Sequence, residues 1–264
     1  MLDFIMKTGF DLFETLIHII AGSIISIILY YVLRGRLKVS GAPQADFFII
    51  PAAAVLGMLM PVNTYGILPV FFMFLQLGMK ANQILPVLFS NFIFNMTIPF
   101  NDATFVFRTG YVRVLFALLT GIAAGIIFKL CKSSRKMLWD RKIAEIPGSS
   151  SGINLILKTV HNNISRMGIY MISGVIINII FNDYIMYTLT SQVANNSYTA
   201  FIPRAMARFN VVSPPFLLAL CIIFAVMNIT NLSAVFMVFK PKGMVLFIGY
   251  YLVWTLLLGI TIFF

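Results

Sequence analysis

"VNTYGILP", residues 62–69, interrupts one of the most apolar parts of this 264-residue chain. Asn63 and Thr64 can bond the backbone through their own side chains, Gly66 has no Cβ, and Pro69 has no N–H. Together they predict a break between two helical limbs, not one continuous helix. Outside the break, residues 47–78 are almost wholly apolar. A second stretch, "NNSYTAFIP" at 195–203, repeats the same ingredients in nearly the same order.

The solvent these limbs face follows from composition. Hydrophobic residues make up 60% of the chain, charged residues only 10%, and the mean hydropathy is +0.97. A soluble globular chain carries about 25% charged residues. Several apolar runs exceed the ~20 residues that span a bilayer core of ~30 Å. The chain therefore reads as an all-α polytopic membrane protein. Alternating segments of ~10 residues, the mark of a membrane β-barrel, are absent. The net charge of +11 fits positively charged cytoplasmic loops, with the lipid bilayer and not nucleic acid as the partner. The N-terminus "MLDFIMKTGF" has no basic region ahead of the apolar run, so it reads as the approach to a retained helix.

Chemistry-bearing motifs are sparse. Cys131 and Cys221 match no metal-binding spacing. No phosphate loop, nucleophile elbow, zinc-protease motif or dinucleotide fingerprint occurs. No cofactor, no metal and no enzymatic activity are expected. The oligomeric state is open.

The first span is predicted from about Phe10 to Leu33, ending in "RGRLK". Region 47–78 follows, broken at 61–69, then 81–107, broken at "NMTIPFND" (95–102), then 111–131. A basic linker (133–152) separates a first repeat (1–132) from a second (153–264). Residues 153–165 predict an interfacial helix, and 167–188 a span. A polar stretch (190–213), an apolar run (214–239) broken at "NITNLS" and a last span (243–264) complete the chain. With "RGRLK" and the linker inside the cell, 47–78 and 190–212 become hairpins among about six full crossings, and both termini lie outside. Five of the nineteen Lys and Arg then fall elsewhere (Lys7, Arg108, Arg113, Arg204 and Arg208), leaving 19 − 5 = 14 inside.

The halves align at an offset of about 196 − 63 = 133. "NTYGILP" falls on "NSYTAFIP", Asn95-Met-Thr on Asn228-Ile-Thr, "FVFR" (105–108) on "FMVFK" (236–240), and "LLTGIAAGI" (118–126) near "LLLGI" (256–260). The halves begin on opposite faces, so the repeat is inverted, as in secondary transporters whose substrate sites lie where paired helices break. Asn63, Thr64, Tyr65, Gly66, Asn196, Ser197 and Tyr198 are the first candidates to line such a site. Asn95, Thr97, Asn228, Thr230 and Asn231 come from the second pair of breaks. Gly66 would supply a positive φ or a close backbone approach, and Pro69 would sit in the first turn of the helix running to Gly78.

"GMLMPVNTYGILPVFFMFLQLG" (57–78) resembles the signature of the ArsP/YraQ-type permeases, with Gly57, Pro61, Gly66, Pro69 and Gly78 in register. "FSNFIFNMTIPFND" and "FRTGYVRVLFALLTGIAAGI" resemble the break and helix that follow in that family. The resemblance implies a bacterial plasma-membrane permease with repeated halves, and in some members efflux of trivalent organoarsenicals. Where the family carries two cysteines this chain has Asn63 and Tyr65. Thiolates select soft metalloids, whereas amide and phenol groups suit a neutral polar or oxygen-rich small solute.

Asp11, Glu14 and His18 fall on one face of the first span, and Glu14 and His18 are the candidates for proton coupling. Arg204 and Arg208 are candidates to attract an anion. Asp102 and Arg108 read as a structural ion pair, and Lys80, Lys240 and Lys242 as snorkelling residues. The reading is thus a secondary-type permease. A non-transporting membrane scaffold, a passive channel and a membrane-embedded enzyme are the alternatives.

Overall fold

A computed structural model of the chain describes residues 2–34, 43–95, 103–130, 138, 152–180, 233 and 236–263. Among them the protein is all-α. Four helices are long: α1 (Leu2–Leu33), α5 (Ala103–Leu130), α6 (Gly152–Ile180) and α7 (Pro241–Phe263). Three are short: α2 (Pro43–Leu59), α3 (Thr64–Gln76) and α4 (Ala81–Phe94). The short helices have 17, 13 and 14 residues, or roughly 20–25 Å at ~1.5 Å per residue. Each carries one internal proline: Pro51, Pro69 and Pro86. α1 contains Phe4–Leu33, the one helix among the described residues long and apolar enough to cross a membrane by length and composition.

Close glycine contacts fix how the helices run. A Cβ at Gly121 would stand 2.8 Å from Ala54 Cβ and 3.1 Å from Pro86 O. One at Gly125, a turn further on, would stand 2.7 Å from Ile50 Cγ2 and 3.0 Å from Asn82 O. Four residues forward on α5 are thus four residues back on both α2 and α4. α2 and α4 are parallel to each other and antiparallel to α5. The turn at 77–80 reverses the chain between α3 and α4, and α3 starts where α4 ends. So α2 and α3 form a hairpin with its tip at residues 60–63.

α7 closes the group. Phe239 packs near Phe128 and Trp254 near Phe116, and the Tyr250 hydroxyl donates to Thr120 O at 2.8 Å. It therefore runs antiparallel to α5. The same register gathers Lys80, Lys129, Lys240 and Lys242 at one end of the bundle, where Leu138 of the basic linker pairs with Phe239.

The hairpin tip lies at middle depth. Gly66, in the first turn of α3, packs against α1 at Gly22 and against the His18 carbonyl, close to the centre of α1. On the other side, Pro86 is level with Gly121, so Phe94 is level with about 121 − 8 = 113 on α5. α5 begins ten residues earlier, at Ala103, roughly 15 Å beyond the end of α4.

Burial separates the two kinds of helix. Thirteen of fourteen α4 residues and eleven of thirteen α3 residues are buried. The long helices turn large apolar side chains outward, among them Phe10, Phe13 and Ile28 of α1, Leu115 and Leu130 of α5, Ile169 of α6 and Val245 of α7. The exposed side of α6 also carries Lys158, His161 and Arg166. Ser23, Ser26, Asn91, Thr120, Thr159 and Asn163 are polar and buried.

Several expectations change. α1 begins at Leu2, before Phe10, and α5 takes in 103–107, which the sequence assigned to the preceding segment, and 108–110, which it left between segments. Residues 153–180 form one helix instead of an interfacial helix followed by a span, because nothing from Ile153 to Ile180 breaks the backbone ladder. "FVFR" lies inside α5, whereas "FMVFK" precedes α7, so that pairing does not hold structurally. Pro69 is the sixth residue of α3 (69 − 64 + 1 = 6) and lies past the first turn. Gly66 does not adopt positive φ; Gly78 does, at 84°. There the Gly78 N–H bonds Leu75 O and the Met79 N–H bonds Phe74 O, a left-handed cap that stops α3.

The α1–α3 crossing yields a stability prediction. Gly22→Val forces a side chain into the Gly66 backbone and is expected to destabilise by more than the ~1–3 kcal/mol of ordinary overpacking. Gly9→Ala, with nothing within 4 Å, is expected to be neutral or slightly stabilising. Thermal unfolding of the purified variants checks both.

Candidate functional site at the helix break

Asn63 opens α3 as its N-cap. Its Oδ1 accepts from the Tyr65 and Gly66 backbone N–H groups, both at 3.1 Å, and its carbonyl accepts from Ile67 N at 3.0 Å. This is why the break falls where it does: an Asn side chain substitutes for the carbonyls missing at a helix start. The break-forming residue thus spends its acceptor on its own backbone.

The end of α4 completes the site. Asn91 Nδ2 donates to Gly57 O at 3.1 Å and to Val62 O at 3.2 Å. Asn95, the C-cap of α4, donates from Nδ2 to the same Val62 carbonyl at 3.1 Å. Two carbonyls face the Asn91 amide, so its nitrogen must point at them and Oδ1 must point away. That oxygen is buried and has no partner among the described residues. Pro61 and Asn95 are exposed and Asn63 is half-buried, so the tip has an accessible side among the described residues.

Tyr65 leaves the tip in another direction. It is 3% exposed, and its hydroxyl lies 2.6 Å from Ser233 Oγ and donates to Tyr170 O at 3.2 Å. Ser233 Oγ also reaches Tyr170 O at 3.3 Å. A Cβ on Gly174 would collide with this hydroxyl pair, so glycine is what lets α6 pass there. The Tyr65 side chain ties the first half of the chain to the second.

Asn63, Thr64, Tyr65 and Gly66 follow one another at the start of α3, and Asn95 reaches the tip through its bond to Val62 O. Thr64 is buried and Gly66 serves close packing. Thr97, Asn196, Ser197, Tyr198, Arg204, Arg208, Asn228, Thr230 and Asn231 lie outside the described residues, as does Asp102. Glu14 and His18 form an i,i+4 pair on α1 with Nε2–Oε1 at 3.9 Å and 60% and 28% side-chain exposure. The His18 backbone, not its ring, meets the tip. Sequence reasoning missed Asn91, Ser233 and the buried pair Ser23–Asn163. The available signal was an isolated polar residue within an apolar run, as in "LFSNFIF".

No protein-family profile, no curated protein and no solved structure matches this chain. The reading of the site rests on its own geometry.

Removing the Asn91 amide leaves Gly57 O buried without its donor. Asn91→Ala is expected to cost ~1–3 kcal/mol, and Asn95→Ala less, because Val62 O keeps the Asn91 bond. Chemical unfolding of the two variants side by side tests the ranking.

Proposed function

We propose that the chain is a polytopic membrane permease for a small polar solute, built on an inverted repeat, with the α2–α3 break as one half of its binding site. The observation that carries this reading is a helix tip halting midway along α1, beside the end of α4, with Asn63, Asn91 and Asn95 around it. Where water is absent, interrupted backbone must be satisfied by protein or by a bound molecule, so such breaks belong to cavities.

Three further observations support it. The long helices present apolar side chains outward while polar side chains are buried within, the distribution a lipid solvent favours. Lys80, Lys129, Lys240 and Lys242 share one end with Leu138, as cytoplasmic residues would. α5 shifted by 133 spans 236–263, and α7, Pro241–Phe263, covers all but the first five of those residues and runs the opposite way.

Hydrogen-bond capacity narrows the solute. The first N–H groups of α3 are taken by Asn63, and the Asn91 and Asn95 amide nitrogens by carbonyls. The free capacity on this side is the buried acceptor Asn91 Oδ1 and the half-buried Asn63 Nδ2, which makes no bond among the described residues. A neutral polar solute that donates to the Asn91 oxygen and accepts from the Asn63 nitrogen fits these uncharged groups. The departure from the family's cysteine pattern at Asn63 and Tyr65 points away from a soft metalloid as well.

Uptake into proteoliposomes across a panel of neutral polar solutes, small anions and arsenicals tests the proposal. Uptake of a neutral polar solute is expected. It should fall about tenfold in folded Asn91→Leu and Asn196→Ala protein, the loss of one hydrogen bond at each. Absence of uptake for every solute overturns the permease reading in favour of a scaffold, and uptake unchanged in both variants removes the break from the site.

A further inference from the structure

The geometry points to an anionic-phospholipid site at the lysine end of the bundle, where α5 ends and α7 begins, with Lys129, Lys240 and Lys242 facing the headgroup phosphate. The inference rests on the membrane reading above but not on transport.

A contact between two rings sets the place. Phe128 and Phe239 are both buried and pack with their centroids 6.4 Å apart. Their chain neighbours, Lys129 and Lys240, are thereby brought to the same edge, and Lys242 follows in the first turn of α7. Lys129 and Lys242 are exposed and Lys240 is half-buried. Lys80 joins this end through the register of α4 on α5, where Asn82 O lies against Gly125. Little opposes these charges: α3, α4, α5 and α7 contain no Asp or Glu, and α2 contains one, Asp46.

Lysines alone would suit any polyanion, and the surface alongside them narrows the partner. On α5, Ile126 and Leu130 are 49% and 76% exposed, and on α7, Val245 and Leu246 are 75% and 36% exposed. Val245 and Leu246 stand at i+3 and i+4 from Lys242, and Ile126 at i−3 from Lys129, so on each helix apolar and cationic side chains share a face. Exposed apolar side chains continue along both helices, at Leu115 and Leu119 of α5 and Val253 of α7. A lysine stem lies along such a surface and carries its ammonium to the headgroup level. A phosphate joined to acyl chains therefore matches both parts, whereas an acidic protein or a nucleic acid would match the lysines and leave the apolar side chains bare. Basic clusters at the cytoplasmic ends of spans attract anionic lipids in this way.

Purified full-length protein in neutral detergent is given phosphatidylglycerol, phosphatidylcholine with the same acyl chains, or glycerol phosphate. Bound lipid is counted by native mass spectrometry and the melting temperature is recorded. Phosphatidylglycerol is expected to be retained and to raise the melting temperature, and the other two to do neither. Lys129→Ala and Lys242→Ala should each weaken its retention about fivefold. Lys158→Ala, on α6, which packs on α1 and α3, should leave it unchanged. Equal retention of the two lipids overturns the inference, as does equal stabilisation by glycerol phosphate, displacement of the lipid by polyglutamate, or an equal loss in Lys158→Ala. Each of those outcomes in a protein that needs detergent leaves the membrane reading standing. A chain that is soluble and monodisperse without detergent overturns the membrane reading, and this inference with it.

Discussion

Two asparagine side chains converge on the carbonyl of Val62, and the surrounding arrangement depends on that bond. Val62 sits at the tip between α2 and α3, where the backbone leaves one helix before entering the next. Asn91 and Asn95, one turn apart on α4, bring both amide nitrogens to it, and Asn91 also takes the Gly57 carbonyl at the end of α2. Three hydrogen bonds from the end of α4 hold the end of α2 and the approach to α3. A helix terminus leaves four backbone groups without internal partners, and burying it is tolerable only when side chains replace them. Asn63 does this for the start of α3, and the α4 amides do it for the chain just before.

Once the tip is secured, glycine sets the distances. Gly22 and Gly66 let α1 cross α3 almost backbone to backbone. Gly57, Gly121 and Gly125 let α2 and α5 close on α4. Small residues at crossings are how helices associate when their outer faces have no reason to leave the solvent. The result is two buried, proline-bearing short helices inside a wall of long apolar ones. The hydroxyl group of Tyr65 crosses this wall to Ser233 and Tyr170, so the tip cannot shift relative to α6 without breaking or dragging that node.

The position of the break was legible because it is local chemistry. Asn, Gly and Pro within an apolar run mark a cap and a stop, and Asn63 and Gly78 hold those places. The roles of the marked residues were not legible. Nothing in "NTYG" says that the Asn side chain turns onto its own backbone or that Gly66 is there for α1, since both depend on a partner far away in sequence. Asn91, Ser23 and Asn163 were missed for a related reason: none belongs to a motif, and only the fold reveals what each faces. The continuity of α6 was misread because a polar side along 153–165 suggests a surface helix, while its other side, at Thr159 and Asn163, packs against the centre of α1.

Charge and open hydrogen-bonding groups are separated along the molecule. The net charge is +11, yet the lysines placed by the helix register stand at one end, away from the tip. At the tip the buried Asn91 Oδ1 is unused, and the half-buried Asn63 amide keeps its N–H donors. The α3 N-terminus beside them is already capped. The Asn91 oxygen is held in place by the bonds that its nitrogen has already made. The cap at Asn63 therefore does more than stop a helix. By occupying the dipole end that would otherwise attract anions, it leaves uncharged amide groups as the open polar groups at the tip.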